Sequence, residues 1–326
     1  MKLQLMRRSV VYEDFWRFSI ERQSIMKRRL AGAPPPWTTD SILSQYRFTN
    51  VYRACDRVSQ YLVRHVIYDG DQNPREIVFR TLLFKLFNRI GTWGLITEAL
   101  GEPHYSPRML SHISSILTRA LKSGERIYSA AYIIPPLRGY RGRKHQGHLA
   151  LLERMMRERI DRQLQTARSM EQAYRILWGY PMLGPFLAYQ FLIDLNYSSV
   201  LRFSEMDFIV PGPGAIRGIA KCFPGYPAGR EADIIRLVSE AQAAEFERRG
   251  AKGFGLYGRK MQLIDCQNVF CEVDKYARLA HPQIMSKDGR ARIKQRYKPL
   301  TAPMQLWFPP KWGLNERVAR EAYAAV

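Results

Sequence analysis

Apolar residues recur along most of the chain at intervals of three and four positions, the spacing that gathers them on one face of an α-helix. Long stretches of alternating apolar and polar residues are scarce, and residues 128–134 are the best candidate for a strand. The pattern therefore predicts an all-α fold. The predicted helices cover residues 12–30, a short segment ending at 44, 49–68, 75–90, 107–122, 148–167, 170–179, 185–196, 215–222, 231–249 and 261–280.

Breaks in this pattern indicate the domain organisation. The prolines of residues 34–36 end the first predicted helix, so residues 1–40 are expected to form an N-terminal helical extension. A main helical domain is predicted over residues 41–285, and a weakly marked boundary near residue 168 leaves room for two lobes. Residues 286–326 are expected to form a basic C-terminal tail.

The chain is strongly basic, with 51 Lys and Arg against 29 Asp and Glu and a formal net charge of +22. A polyanion is the partner that this excess favours, because each phosphate that binds Lys or Arg releases counterions. The alternative is a solubility bias or a basic virion protein. Two loops are predicted to contact phosphates, and solvated basic loops are the alternative for each. They are residues 135–146, with Arg138, Arg141, Arg143 and Lys144, and residues 287–298, with Arg290, Arg292, Lys294 and Arg296.

Cysteine usage and hydropathy indicate the cellular compartment in which the protein works. Four cysteines in 326 residues, beside many core aromatics, predict a reducing cytoplasm and no disulfide framework. Cys266 and Cys271 lie close together, but no second Cys or His pair completes a zinc pattern, so buried thiols and no metal site are expected. The most apolar stretch, residues 180–195, is too short to span a bilayer. We expect a soluble, cytoplasmic protein with no membrane partner.

The sharpest local motif is at residues 207–219, where an apolar stretch precedes Pro-Gly-Pro-Gly and the start of a helix. This pattern is typical of a helix–hairpin–helix. Gly212 and Gly214 permit a tight turn, and the N-terminus of the following helix can hold a phosphate, with Arg217 in its first turn. An ordinary helix–helix turn is the alternative. Residues 253–260 resemble a P-loop but lack its Lys and Ser or Thr, so no self-contained ATP site is predicted.

Residues 261–280 carry the most informative polar pattern. At helical periodicity the core face consists of Leu263, Cys266, Val269, Phe270, Val273 and Ala277. A second face carries Asp265, Asn268, Glu272 and Lys275. This ridge offers a general base, an orienting amide and a cation for a leaving phosphate, and the alternative is a solvated face with a Glu272–Lys275 pair. Asp274 falls at the border of the core face, where a buried carboxylate needs a partner.

A second polar ridge is predicted within residues 46–64. Its buried side consists of Val51, Cys55, Val58 and Leu62, and its polar side consists of Asn50, Arg53, Arg57, Gln60 and Arg64. Three arginines on one face suit phosphate or pyrophosphate, which guanidinium groups bind in bidentate fashion. A plain solvated helix is the alternative. Residues 194–197, which begin with Asp194, form another polar cluster or a helix cap.

Five segments together resemble one protein family. They are residues 46–58 (YRFTNVYRACDRV), 80–88 (RTLLFKLFN), 194–197 (DLNY), 212–214 (GPG) and 265–276 (DCQNVFCEVDKY). They are similar to the alpha-glutamyl/putrescinyl thymine pyrophosphorylases, also described as amino acid:DNA transferases. That family is related to the helical domain attached to 5-hydroxymethyluracil DNA kinases. The resemblance covers roughly residues 41–280.

The resemblance implies a helical DNA-glycosylase-like fold with a helix–hairpin–helix, in which the target base is flipped out of the duplex. It also implies thymine hypermodification in bacteriophage DNA, and hence the host cytoplasm. A kinase pyrophosphorylates 5-hydroxymethyluracil in the DNA, and the family member replaces the pyrophosphate with an amine. The implied partners are double-stranded DNA containing modified thymine and an amino acid or polyamine. No cofactor is predicted, and a magnesium requirement stays open.

The resemblance also implies roles for individual residues. The departing pyrophosphate would be held by Arg47, Arg53, Arg57 and Lys275. The amine would be deprotonated by Asp265 or Glu272, with Asp274 a secondary candidate. The uracil edge would be read by Asn50 and Asn268, and Asp194 is assigned to substrate binding. The DNA backbone would be contacted by Gly212, Gly214, Arg217, Arg141 and Arg143.

Two other functions stay open. The first is a glycosylase-like hydrolase on the same fold, in which Asp233, 19 residues beyond Gly214, would be the catalytic carboxylate. The residues around Asp233 lack the Val-Asp-Thr-His-like context that such enzymes show, which weakens this hypothesis. The second is a non-enzymatic DNA-binding protein, in which replacing Asp265 or Glu272 would have no chemical effect.

Overall fold

The computed structural model describes residues 3–132, 134–286, 288–298 and 304–324. Within these residues it contains fourteen α-helices and no strand, which confirms the all-α class. The helices are α1 (Val10–Leu30), α2 (Ser41–Gln45), α3 (Arg57–Tyr61), α4 (Pro74–Phe87), α5 (Ile90–Leu100), α6 (Pro107–Lys122), α7 (Lys144–Arg157), α8 (Ile160–Gln165), α9 (Met170–Trp178), α10 (Pro185–Asn196), α11 (Pro213–Cys222), α12 (Glu231–Glu247), α13 (Leu263–Ala280) and α14 (Asn315–Ala324).

The predicted helix over residues 49–68 is wrong, because this stretch is broken into three pieces. Arg53–Cys55 forms a 3₁₀ turn, α3 follows it, and Leu62–Ile67 is a π-helix. The Asn50 side chain donates to the Cys55 carbonyl at 2.7 Å, and the Asn50 N–H donates to the Asp56 carboxylate at 2.8 Å. These local bonds replace the helical ones, so the predicted ridge of three arginines does not form.

Three other predictions need smaller corrections. The helix predicted over residues 148–167 is two helices, α7 and α8, separated by Arg159 in the left-handed region at φ 57°. The strand candidate fails, because residues 128–132 and 134 are irregular. Helices α5 and α14 were not predicted, and in α5 two glycines, Gly91 and Gly94, weaken the helical signal.

The described chain divides into two units. The first unit contains Met1–Asp56, Phe208–Leu306 and Gly313–Val326, and the second contains Arg57–Asp207 and Trp307–Trp312. The second unit is therefore largely an insertion into the first. The boundary predicted near residue 168 falls inside the second unit, and the predicted N-terminal extension belongs to the first unit.

The first unit is built around α13, which packs against α1, α11 and α12. A Cβ atom on Gly218 of α11 would lie 2.0 Å from the Phe270 carbonyl oxygen of α13, so glycine is what lets these two helices approach. On the other side of α13, the Phe270 ring lies 4.6 Å from the ring of Phe15 in α1. The core face predicted for residues 261–280 is confirmed, because all six of its residues are buried.

The second unit is built around α4, whose residues are buried on every side from Ile77 to Phe87. Lys85 forms an ion pair with Asp194 of α10 at 2.8 Å, and both side chains are buried. The Lys311 ammonium donates to the carbonyls of Asn196, Ser198 and Leu201, just beyond the end of α10. No helix in the described ranges is both long and apolar enough to cross a membrane.

Candidate functional site

In the first unit, the loop that follows α2 lies against the polar face of α13. Thr49 is held there by three side chains. Its N–H donates to the Glu272 carboxylate at 3.1 Å, and its carbonyl accepts a bond from Arg22 Nε at 3.0 Å. Its hydroxyl accepts a bond from Asn268 Nδ2, also at 3.0 Å. The loop conformation is therefore fixed by side chains from α1 and α13.

Three residues of the polar ridge predicted on α13 meet around this loop. Asn268 Nδ2 also donates to the Asn50 carbonyl at 2.8 Å. Glu272 pairs with Lys275 at 2.5 Å, and the Lys275 ammonium lies 5.2 Å from the centre of the Phe48 ring. The alternative for this ridge was a solvated face with a Glu272–Lys275 pair; the pair is present, but Glu272 is only 4% exposed. The ridge is thus an internal contact surface.

Asp265 is the third residue of α13 and forms a capping box with the N-cap residue Gln262. Its Oδ2 accepts a bond from the Gln262 N–H at 3.0 Å, and its Oδ1 accepts one from the Arg53 N–H at 2.9 Å. Burial raises the pKa of Asp265, although these bonds act in the opposite direction. The carboxylate therefore joins the Arg53–Cys55 turn to α13, and its role as a general base stays a prediction.

Asp56 is a candidate that the sequence analysis missed. It is partly buried, and burial raises its pKa to about 7, although the bond from the Asn50 N–H and the charge of Arg22 oppose this shift. A carboxyl with a pKa near neutrality is suited to proton transfer at physiological pH. Asp56 is the only acidic residue among residues 46–58, and that isolation among arginines was the available signal.

A pocket of about 370 Å³ opens beside the loop in the first unit. Its walls include four aromatic rings and two guanidinium groups, those of Trp37, Tyr46, Phe48, Tyr297, Arg22 and Arg29. Arg22 Nη1 and Tyr297 Oη are buried and have no hydrogen-bond partner among the described residues. None of the described residues that line the pocket is acidic. The site therefore combines an aromatic pocket with unused hydrogen-bond donors.

Asp274 is fully buried at the other side of α13. It pairs with Arg217 at 3.1 Å and with Lys221, also at 3.1 Å, and with Arg278 at 2.6 Å. Burial alone would raise the pKa of Asp274, but the bond from Arg278 and the nearby cations lower it below its usual value. The predicted need for a partner is confirmed. Arg217 also pairs with Asp288 at 3.4 Å, so its charge is balanced within the unit.

The glycine motif before α11 packs against α13. The Gly212 N–H donates to Gln267 Oε1 at 3.0 Å, and a Cβ on Gly214 would lie 2.3 Å from the Cys271 sulfur. Sixteen irregular residues separate the end of α10 from the start of α11, so a tight turn between these two helices is absent. The helix–hairpin–helix is not confirmed, and the roles of the two glycines in DNA binding stay predictions.

The remaining predicted site residues are distributed over both units. Arg47 is exposed and Arg53 is buried in the first unit. Four others belong to the second unit: Arg57, Arg141, Arg143 and Asp194. Lys287, at the start of the second basic loop, lies outside the described residues. No cluster that could hold a metal ion occurs in the described part of the chain.

The fold and the site define an all-α protein that holds titratable groups beside an aromatic pocket. Over residues 9–286 the chain matches the family described as the helical domain of 5-hmdU DNA kinases, and it belongs to that family. The matched range includes Arg22, the Thr49 loop and α13, whereas Tyr297 lies beyond it.

A 5-hmdU DNA kinase of Bacillus phage SP10 is 27% identical to the chain over 281 residues. The match covers 79% of this chain and 43% of the phage protein. The chain therefore spans less than half the length of this relative. No solved structure matches the chain.

Proposed function

We propose that the protein modifies thymine-derived bases in phage DNA, replacing the pyrophosphate of 5-pyrophosphoryloxymethyluracil with an amine from an amino acid or polyamine. Membership in a family named for 5-hmdU DNA kinases supports a thymine-derived base as the target, and the net charge of +22 supports a DNA substrate. The observation that carries the proposal is Asp56, a carboxyl with a pKa of about 7 beside the charge of Arg22.

The reaction needs a base and a stabilised leaving group. The amine nitrogen attacks the methylene carbon on C5 of uracil, and the bond from that carbon to the pyrophosphate oxygen breaks. Pyrophosphate leaves with the electron pair of that bond. Before the attack, the ammonium form of the co-substrate gives a proton to the base, because only the uncharged amine is a nucleophile. Cations that face the departing oxygens stabilise the charge that develops on them.

Asp56 takes the general-base role in this proposal. Both oxygens of Asp265 already accept backbone hydrogen bonds, and Glu272 is engaged by Thr49 and Lys275. Asp56 is the remaining carboxyl of this cluster, and its pKa matches the operating pH of a base that must accept and release protons. Arg22 supplies a positive charge close to it for the leaving pyrophosphate.

Two alternative activities find less support. The carboxylate that a glycosylase-like hydrolase would use, Asp233, is 49% exposed and pairs with Arg230 at 2.5 Å. A kinase would need a phosphate-binding loop, but residues 256–259 close a tight turn through two 2.9 Å bonds between Leu256 and Arg259. Helix α13 begins only at Leu263, so this turn does not lead directly into a helix as a P-loop does.

Transfer is tested by incubating the protein with DNA that contains 5-pyrophosphoryloxymethyluracil and a panel of amino acids and polyamines. Digested nucleosides are then identified by mass spectrometry. We expect one new nucleoside with the mass of an amine adduct, lost in Asp56→Asn and retained in the control Asp233→Asn. Release of free base would support the hydrolase, and unchanged DNA with intact binding would support a non-enzymatic DNA-binding protein.

A further inference from the structure

We propose that the pocket between Arg22 and Tyr297 receives the target pyrimidine after it leaves the DNA stack, with a carbonyl edge against these two side chains. This inference rests on the proposed function and adds the place where the base is recognised. A volume of about 370 Å³ falls within the range of about 300 to 1,000 Å³ that holds a small organic ligand.

The hydrogen-bonding groups of the residues that line the pocket favour a ligand with acceptor oxygens. Arg22 Nη1 and Tyr297 Oη are buried without a partner among the described residues, and both can donate. Buried donors without partners are costly, so a ligand that brings acceptor oxygens is favoured. Uracil derivatives present two carbonyl oxygens. A polyamine presents only cations, and it would meet Arg22 and Arg29 with no carboxylate among the described lining residues.

The amide nitrogens of the two residues that were expected to read the uracil edge already donate elsewhere. Asn268 Nδ2 donates to the Thr49 hydroxyl and the Asn50 carbonyl, and Asn50 Nδ2 donates to the Cys55 carbonyl. Both amides hold the loop in place. The pocket, by contrast, is lined by aromatic side chains and by Arg22, Arg29 and Tyr297, which carry hydrogen-bond donors. Stacking and hydrogen bonding are the two means by which enzymes hold an extruded base.

The rim of the pocket is suited to the flanking DNA backbone. The Arg47 N–H donates to the Gln295 carbonyl at 3.0 Å, and the Tyr297 N–H donates to the Gln45 carbonyl at 2.9 Å. These bonds join the second predicted basic loop to the segment that carries Arg47. The Arg296 guanidinium lies 4.4 Å from the centre of the Tyr46 ring. Arg47 and Arg296 are both exposed and adjoin the lining residues Tyr46 and Tyr297 in the chain, so these two cations are available to the phosphates that flank the base.

The proposal is tested with a DNA duplex that carries a single 5-iodouracil, irradiated in complex with the full chain. We expect a crosslink in peptides that contain Trp37, Tyr46, Phe48 or Tyr297. A crosslink confined to other residues, such as the exposed Tyr140 in the first basic loop, would overturn the proposal. So would the absence of any crosslink while DNA binding is retained.

The probe contains no pyrophosphate and needs no amine, so its result is independent of transfer. Crosslinking in the pocket without amine transfer would remove the proposed function and leave the base site. Amine transfer with crosslinking elsewhere would support the proposed function and overturn the base site in the pocket. Loss of the pocket crosslink on adding a free amino acid, at unchanged DNA affinity, would assign the pocket to the amine and overturn the proposal.

A matched pair of tyrosine variants gives a second readout. Tyr297→Phe removes the buried hydroxyl of a residue that lines the pocket, and this hydroxyl has no partner among the described residues, so folding should be preserved. We expect its crosslinking yield and its affinity for the modified duplex to fall about five- to tenfold. Tyr12→Phe removes another buried hydroxyl of the first unit, outside the pocket, and should change neither. Equal behaviour of the two variants would contradict the proposal.

Discussion

The Glu272 carboxylate accepts a hydrogen bond from the Thr49 backbone N–H at 3.1 Å, although 223 positions separate the two residues in the chain. Glu272 is also paired with Lys275, so a single carboxylate joins a loop, a helix and a cation. The loop that carries Asn50 and Asp56 therefore takes its conformation from a distant helix. Stability and activity should respond together when this contact is removed.

We expect Glu272→Gln to lower the free energy of unfolding by about 1–3 kcal/mol, because an amide replaces a charged acceptor that is largely buried. The same variant should reduce amine transfer, since the loop that holds Asp56 is no longer fixed. Urea denaturation and the mass-spectrometric assay measure the two effects. The control is Glu171→Gln, which removes the exposed pair with Arg175 and should cost less than about 0.5 kcal/mol. Equal losses in the two variants would contradict this prediction.

Asp274→Asn should be the most damaging carboxylate substitution, at about 3–5 kcal/mol, because it removes the buried carboxylate that pairs with Lys221 and Arg278 and one of the two that pair with Arg217. The pKa of Asp274 is lowered in the folded protein, so its contribution is present above its unfolded value and is lost as the pH falls through the folded value. The difference from the wild type should therefore shrink below about pH 4. Urea unfolding at a series of pH values measures it, and a constant difference would contradict the prediction.

Asp56→Asn should separate activity from stability. The pKa of Asp56 is raised from 3.8 to about 7. Between these pH values the carboxyl is protonated in the folded protein and ionised in the unfolded chain. The free energy of unfolding therefore falls as the pH rises through this window. The variant should be at least as stable as the wild type at pH 8, and it should lack this loss. Amine transfer should rise with pH around 7 in the wild type and be lost in the variant. A variant that unfolds more easily at pH 8 would contradict this assignment.

The two glycines of α11 should respond differently to alanine. At Gly218 the new Cβ would meet the Phe270 backbone oxygen at 2.0 Å, so the helices must separate, and we expect a loss of about 3 kcal/mol or more. At Gly214 it would meet the Cys271 sulfur at 2.3 Å, so Cys271→Ala should recover part of the loss. Gly184→Ala is the control, because no atom lies within 4 Å. Thermal unfolding measures all of them, and no recovery in the double variant would contradict the packing account.

Patterns within one helix were predictable from the sequence, because helical periodicity fixes which side chains share a face. The buried side of α13 follows that rule, and so does the partner requirement of Asp274. The same rule failed at Asn50, where bonds to Cys55 and Asp56 compete with helical bonds and residues 49–52 are not helical. Periodicity cannot detect such competition, since it counts apolar spacing and ignores local acceptors.

The pocket could not be predicted, because no single segment contains it. Arg22, Trp37 and Tyr46 lie near the start of the chain, and Tyr297 lies some 250 positions later. The main-chain bonds of Arg47 and Tyr297 that join these segments leave no trace in either local sequence. The raised pKa of Asp56 was equally hidden, since burial by distant residues is its main cause.

The insertion of the second unit into the first has a consequence for synthesis on the ribosome. Helix α1 packs against α13, and the Asp14–His281 contact of 2.7 Å between these regions spans 267 positions. At about 5–20 residues per second, α1 would emerge roughly 13 to 53 seconds before its partner. During that interval Phe15 of α1 lacks its α13 partner Phe270, while residues 57–207 of the inserted unit emerge. Translation thus imposes an order in which the main part of the inserted unit emerges before α13, and the Trp307–Trp312 segment that completes that unit emerges after it.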